Sequence, residues 1–63
     1  MIINGVQEAA EGKSVAQVLQ EKGIDLSNVA VERNGEIVPK RQYDSVIITA
    51  EDRLEIVSFV GGG

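Results

Sequence analysis

Neither cysteine nor histidine occurs in the 63-residue sequence, so a chain near the lower size limit for independent folding must fold on apolar burial alone. Disulfide staples, thiolate metal sites, a cysteine nucleophile and the imidazole that best exchanges protons near neutral pH are all closed to it. Apolar residues make up 43% of the chain, which supplies one small core and argues against disorder. A single domain follows, with little volume for an enclosed pocket. No metal and no cofactor are expected, and a module acted on by other proteins fits better than a catalyst. Ten acidic against six basic residues leave a net charge of −4, the wrong sign for displacing counterions from phosphates, so nucleic acid is a poor partner. No apolar run approaches the roughly 20 residues of a membrane span, and no basic, apolar leader opens the chain. A cytoplasmic chain without membrane contact is the expectation.

Two Asn-Gly pairs punctuate the sequence. Met1-Ile2-Ile3 meets Asn4-Gly5, a pair suited to the positive φ angles of a two-residue hairpin turn, and Val6 to Ala10 can return as a partner strand. Val29 to Arg33 meets Asn34-Gly35 in the same way and returns through Glu36, Ile37 and Val38, until Pro39 ends the strand because it cannot donate to a ladder. Between the hairpins, Ser14-Val15-Ala16-Gln17 reads as a capping box, with Val15, Val18 and Leu19 on one helical face. Gly23 suits a left-handed position after Lys22, and Ile24 can fold back on Leu19 as in a Schellman motif. The helix spans Val15 to Lys22 and is too short to stand alone in water, so its apolar stripe must lie on a sheet.

Beyond Pro39, Lys40 to Asp44 read as a turn or short helical piece in which Tyr43 packs. Val46-Ile47-Ile48 is apolar but ambiguous in type, and Thr49 to Arg53 form a charged turn. The most strand-like segment runs from Leu54 to Val60. A single short helix covers only one face of a sheet, so the pattern predicts a mixed sheet of the α+β class with one helix on one face and the other at least partly open. Strand alternation separates Leu54 and Ile56 from Glu55, Val57 and Phe59. Burying Leu54 and Ile56 leaves Val57 and Phe59 as an exposed apolar patch. The acidic residues Glu8, Glu11, Glu32, Glu36, Glu51, Asp52 and Glu55 read as solvated surface, and Arg33 and Arg53 as side chains lying over the sheet edge.

The chain closes on Gly61, Gly62 and Gly63. Without Cβ atoms such a segment is thin enough for a narrow channel and open at its last carbonyl carbon. The reading is therefore a domain over residues 1–60 and a flexible glycine tail over 61–63. A carboxylate is a poor electrophile, so a partner must activate it. ATP would convert it to an acyl-adenylate whose AMP leaves when sulfur or nitrogen attacks. The chemistry alone leaves open a thiocarboxylate, a thioester, an isopeptide or a passive tail.

The stretch Val31-Glu32-Arg33-Asn34-Gly35-Glu36-Ile37-Val38, then Tyr43, then Asp52 through Phe59-Val60-Gly61-Gly62-Gly63 is similar to the ThiS family of bacterial sulfur carriers of thiamin synthesis. The body likewise resembles a ubiquitin-like β-grasp domain. That resemblance implies adenylation of Gly63 by a ThiF-type adenylyltransferase, sulfur delivery through a cysteine desulfurase relay, and transfer from the thiocarboxylate to thiazole synthase, ThiG. It makes Gly63 the modified residue, Gly61 and Gly62 the thread, and Val57, Phe59 and Val60 the docking surface of a co-substrate that is not itself an enzyme. A monomer is the expectation for the free chain, although the sequence does not fix it. Two alternatives stay open: a carrier for another acceptor, as in the small subunit of molybdopterin synthase, and a non-covalent β-grasp interaction module.

Overall fold

The structure, a computed structural model, describes residues 1–59. The first Asn-Gly pair joins β1 (Ile2–Ile3) to β2 (Val6–Gln7), with Asn4 at φ 50° and Gly5 at φ 82°. The returning strand is shorter than the expected Val6 to Ala10. The Glu8 amide donates to the Met1 carbonyl at 2.9 Å, after which the chain leaves the ladder and buries Ala10 in the core. The second pair joins β3 (Val29–Arg33) to β4 (Glu36–Ile37) with the same handedness, φ 53° at Asn34 and 86° at Gly35. Val38 adds one more bond, its amide donating to Val31 at 2.9 Å.

Helix α1 (Val15–Glu21) is capped at both ends as its residues dictate. The Ser14 hydroxyl accepts from the Gln17 amide at 3.1 Å, and the Gln17 side chain accepts from the Ser14 amide at 2.8 Å. Replacing Ser14 with alanine removes one half of this box, and a loss of about 1 kcal/mol in urea unfolding is expected. At the other end the Ile24 amide reaches the Leu19 carbonyl and the Gly23 amide that of Gln20, which completes the Schellman pair. The two remaining donors of the first turn are satisfied from far along the chain. Val15 donates to Val46 at 3.0 Å and Ala16 to Tyr43 at 2.9 Å, so the segment after β4 caps the helix that precedes β3.

This capping settles the ambiguous stretch at Val46 to Ile48. It is extended and bridges Ser14 through Ile47, with the Ile48 amide donating to Lys13 and its carbonyl accepting from Gly12, both at 2.9 Å. Ile48 is buried and Ile47 exposed. Before it, a 3-10 turn at Lys40–Gln42 leads into buried Tyr43, whose hydroxyl sits 3.4 Å from the Val29 carbonyl. Burial pushes the Tyr43 phenol above its usual pKa, so it stays a neutral donor.

The last strand, β5 (Arg53–Ser58), lies at the centre of a five-stranded sheet ordered β2-β1-β5-β3-β4. It runs parallel to β1 and antiparallel to β3, so the sheet is mixed as expected. Val15, Ala16, Val18 and Leu19 of α1 share one buried cluster with Ile3, Val29, Val31, Leu54 and Ile56. The helix therefore covers one face, the arrangement of the ubiquitin-like β-grasp.

Candidate functional site

The strand that leads to the glycines is held from both sides. Besides its ladders with β1 and β3, β5 is gripped by the asparagine of each hairpin turn. The Asn4 carboxamide accepts from the Ile56 amide at 2.7 Å and donates to the Ile56 carbonyl at 3.0 Å, continuing the short β1 ladder with a side chain. Across the strand, the Asn34 side chain accepts from the Arg53 amide at 2.9 Å, while its backbone amide donates to the Arg53 carbonyl at 2.8 Å. Past the end of β5, the Phe59 amide still donates to Asn28 at 2.7 Å. The chain is thus held by the sheet as far as Phe59.

Cross-strand register identifies the uncovered face. Ala30 lies opposite Val57, Glu32 opposite Glu55, and Ile37 opposite Glu32, so these side chains share the side away from α1. Val57 and Phe59 are 54% and 57% exposed, as the alternation of β5 requires, and Ile37 is 66% exposed. Ile37 escaped the sequence reading although the signal was present. A two-residue turn at Asn34-Gly35 places Glu36 opposite Arg33 and hence Ile37 opposite Glu32. The Glu32–Glu55 pair sets like charges directly across two strands, an arrangement that weakens a sheet. Val60, Gly61, Gly62 and Gly63, the other residues expected at the site, lie outside the described residues.

Two expectations about charge need correction. Asp52, read as solvated surface, is only 5% exposed, and Arg33, read as lying over the sheet edge, pairs with it at 2.9 Å. The same carboxylate accepts from the Asn34 carboxamide at 3.0 Å and the Thr49 amide at 2.9 Å. Burial disfavours its ionised form, but the Thr49, Asn34 and Arg33 donors outweigh that cost and hold the carboxyl below its usual pKa. The cluster closes the turn into β5 and is structural, and among the described residues no buried side-chain nitrogen or oxygen is left without a hydrogen-bond partner.

Among the described residues no group of three or more His, Cys, Asp or Glu side chains is placed to hold a metal ion. An open hollow beside the second hairpin, between Asn34, Ile37, Pro39 and Gln42, has a volume of about 190 Å³, below the roughly 300 Å³ at which small-molecule sites begin. Among the described residues no helix is long and apolar enough to cross a membrane.

The ThiS family model matches residues 2–63, so the match includes the glycines as well as the sheet. The chain belongs to the ThiS family. This ThiS-family chain is 40% identical over 50 residues to the sulfur carrier protein ThiS of Bacillus subtilis, covering 79% of this chain and 76% of that one. It is 47% identical over 64 residues to a thiazole synthase of Paramagnetospirillum magneticum and 37% identical over 62 residues to one of Magnetococcus marinus. The chain spans only about a fifth of the length of those two proteins, 20% and 19%. In structure it is similar to the thiamine biosynthesis protein ThiS of Geobacter metallireducens. The crystal structure of that protein superposes with a TM-score of 0.76 at 29% identity, covering 98% of this chain and 96% of the other. The ubiquitin-like β-grasp assignment rests on that likeness and on the sheet order described above.

Proposed function

We propose that the chain is a sulfur carrier of thiamin synthesis: a co-substrate whose Gly63 carboxylate is adenylated, converted to a thiocarboxylate and used to deliver sulfur for thiazole formation. The observation that carries this reading is the family match running through Gly61, Gly62 and Gly63, which follow in sequence a strand paired on both sides. A rigid strand fixes where the glycines depart from the body, and their lack of side chains lets residues 61–63 serve as a flexible thread beyond a domain at residues 1–60. A carboxylate oxygen of Gly63 attacks the α-phosphorus of ATP and displaces pyrophosphate. A persulfide sulfur from the relay then attacks the acyl carbon as AMP leaves, and a thiolate cleaves the S–S bond of that product, which leaves the thiocarboxylate on Gly63 and a disulfide on the donor side. The chain contributes the carboxylate and its presentation, while a ThiF-type adenylyltransferase and a cysteine desulfurase relay contribute the catalysis and the sulfur.

The uncovered sheet face supplies the docking surface, with Val57 and Phe59 on β5 and just past it and Ile37 extending it across β4, and Val60 is the third residue assigned to docking by its place in the sequence between Phe59 and the glycines. Repulsion between Glu32 and Glu55 is relieved when a partner brings a cationic side chain between them. Thiazole synthase, ThiG, is the acceptor that the relatives support, since a region similar to this whole chain occurs within proteins of that name.

Two measurements test the proposal. Pyrophosphate release from ATP by a ThiF-type enzyme should depend on the presence of the chain, and release that ignores the chain contradicts it. Changing Phe59 to Asp should weaken binding to that enzyme by about tenfold or more, the cost of placing a charge at the centre of a desolvated contact, while shifting the urea midpoint little. A large stability loss with unchanged binding would make Phe59 a packing residue instead.

A further inference from the structure

The two Asn-Gly turns carry a chemical liability that the sheet controls. In an Asn-Gly pair the glycine amide nitrogen can attack the asparagine side-chain carbonyl carbon. A new N–C bond closes a five-membered imide, ammonia leaves, and water opens the ring at either carbonyl to give aspartate or isoaspartate. The net change is asparagine plus water to acid plus ammonia, so solvent is the only co-reactant. Glycine favours the step because it brings no side chain against the closing ring, and open space lies beside both Gly5 and Gly35.

Ring closure requires the carboxamide to swing about its Cα–Cβ bond until its carbon meets the next amide nitrogen. Both asparagines are held against that motion. Asn4 has its oxygen and its nitrogen engaged by the backbone of Ile56, and Asn34 is engaged by the Arg53 amide and the Asp52 carboxylate. We propose that Asn4 and Asn34 are deamidation sites gated by the fold, protected while their carboxamides clamp β5 and released when the hairpins open, with Asn4 the first to convert. The order follows from the pairing on either side of β5. β1 is registered with β5 over two residues, Ile2 and Ile3, whereas β3 is registered over five, Val29 to Arg33. The first hairpin therefore opens at lower cost.

Conversion damages the clamp that delayed it. A carboxylate at position 4 has no donor for the Ile56 carbonyl and sets oxygen against oxygen. One at position 34 faces the Asp52 carboxylate at the distance of the present hydrogen bond, 3.0 Å. Either product loosens β5, the base of the exposed face, so a chain that has opened is chemically marked and folds less well afterwards.

The test uses the unmodified 63-residue chain, incubated at mildly alkaline pH with and without urea, then digested and mapped by mass for the amide-to-acid change at each site. In urea the two sites should convert at comparable rates. In native buffer both should slow by about tenfold or more, the factor imposed by a local opening that costs about 1.4 kcal/mol, and Asn4 should lead Asn34. Equal rates in the two buffers, or Asn34 leading, overturns the proposal. As a mimic of the product, Asn4→Asp should unfold at lower urea than Asn4→Gly, which keeps the left-handed turn without adding a charge. An Asn4→Asp chain as stable as the original also overturns it. Neither measurement involves adenylation, so the outcome is independent of the carrier reading.

Discussion

Replacing Asp52 with alanine is expected to lower the stability of the domain by about 2–4 kcal/mol, because three donors lose an ionised acceptor at once. A domain of this length holds about 3–9 kcal/mol in total at 0.05–0.15 kcal/mol per residue, so the loss is a large fraction of the whole and the variant should unfold at markedly lower urea. The Arg33 side chain is 36% exposed, and solvent screening limits its share of that loss. The larger part comes from the Thr49 amide and the Asn34 carboxamide, which lose the acceptor that closes the turn into β5. Urea unfolding of the variant checks the magnitude.

The pH dependence distinguishes the charge from the shape. The Asp52 carboxyl is held below its usual value in the folded chain, so its contribution is fully present above the unfolded carboxyl pKa of about 3.9 and is lost as pH falls through the lower folded value. Asp52→Asn, which keeps the side-chain outline, should unfold more readily at neutral pH and lose less stability than the original chain as pH drops below about 4. A residual slope should persist, since Asp25 is held low by the hydroxyl and amide of Ser27. Identical slopes in the two chains would show that Asp52 carries no folding-linked charge.

Removal of Gly63 has the largest expected effect on activity and the smallest on the fold. The chain without it should accept neither AMP nor sulfur, while its unfolding free energy in urea stays within about 0.5 kcal/mol of the original, as expected when the residue removed carries no side chain. A truncated chain that unfolds would place Gly63 in the packing. One that still carries AMP would place the reactive carboxylate elsewhere.

Local chemistry made most of the body legible. Each Asn-Gly pair announced a turn with two positive φ angles, Ser14 with Gln17 announced a helix start, and Gly23 with Ile24 its end. Alternation along β5 separated buried Leu54 and Ile56 from exposed Val57 and Phe59. What escaped was set by partners far away in sequence. Asp52 sits in a run that reads as a charged surface turn, and its burial depends on Arg33 and Asn34, 19 and 18 positions earlier. The extended form of Val46 to Ile48 depends on Lys13 to Val15, which no period within three residues can encode. On the candidate docking face, Ile37 was recoverable from turn length and register, because a two-residue hairpin fixes every pair behind it.

Intact-mass measurement of the 63-residue chain after incubation with ATP and a ThiF-type adenylyltransferase tests the carrier account most directly. An AMP adduct, or an oxygen-to-sulfur replacement when a sulfur source is added, should form and map to Gly63. An unchanged mass, with an enzyme that modifies another ThiS-family carrier in a parallel reaction, would contradict it.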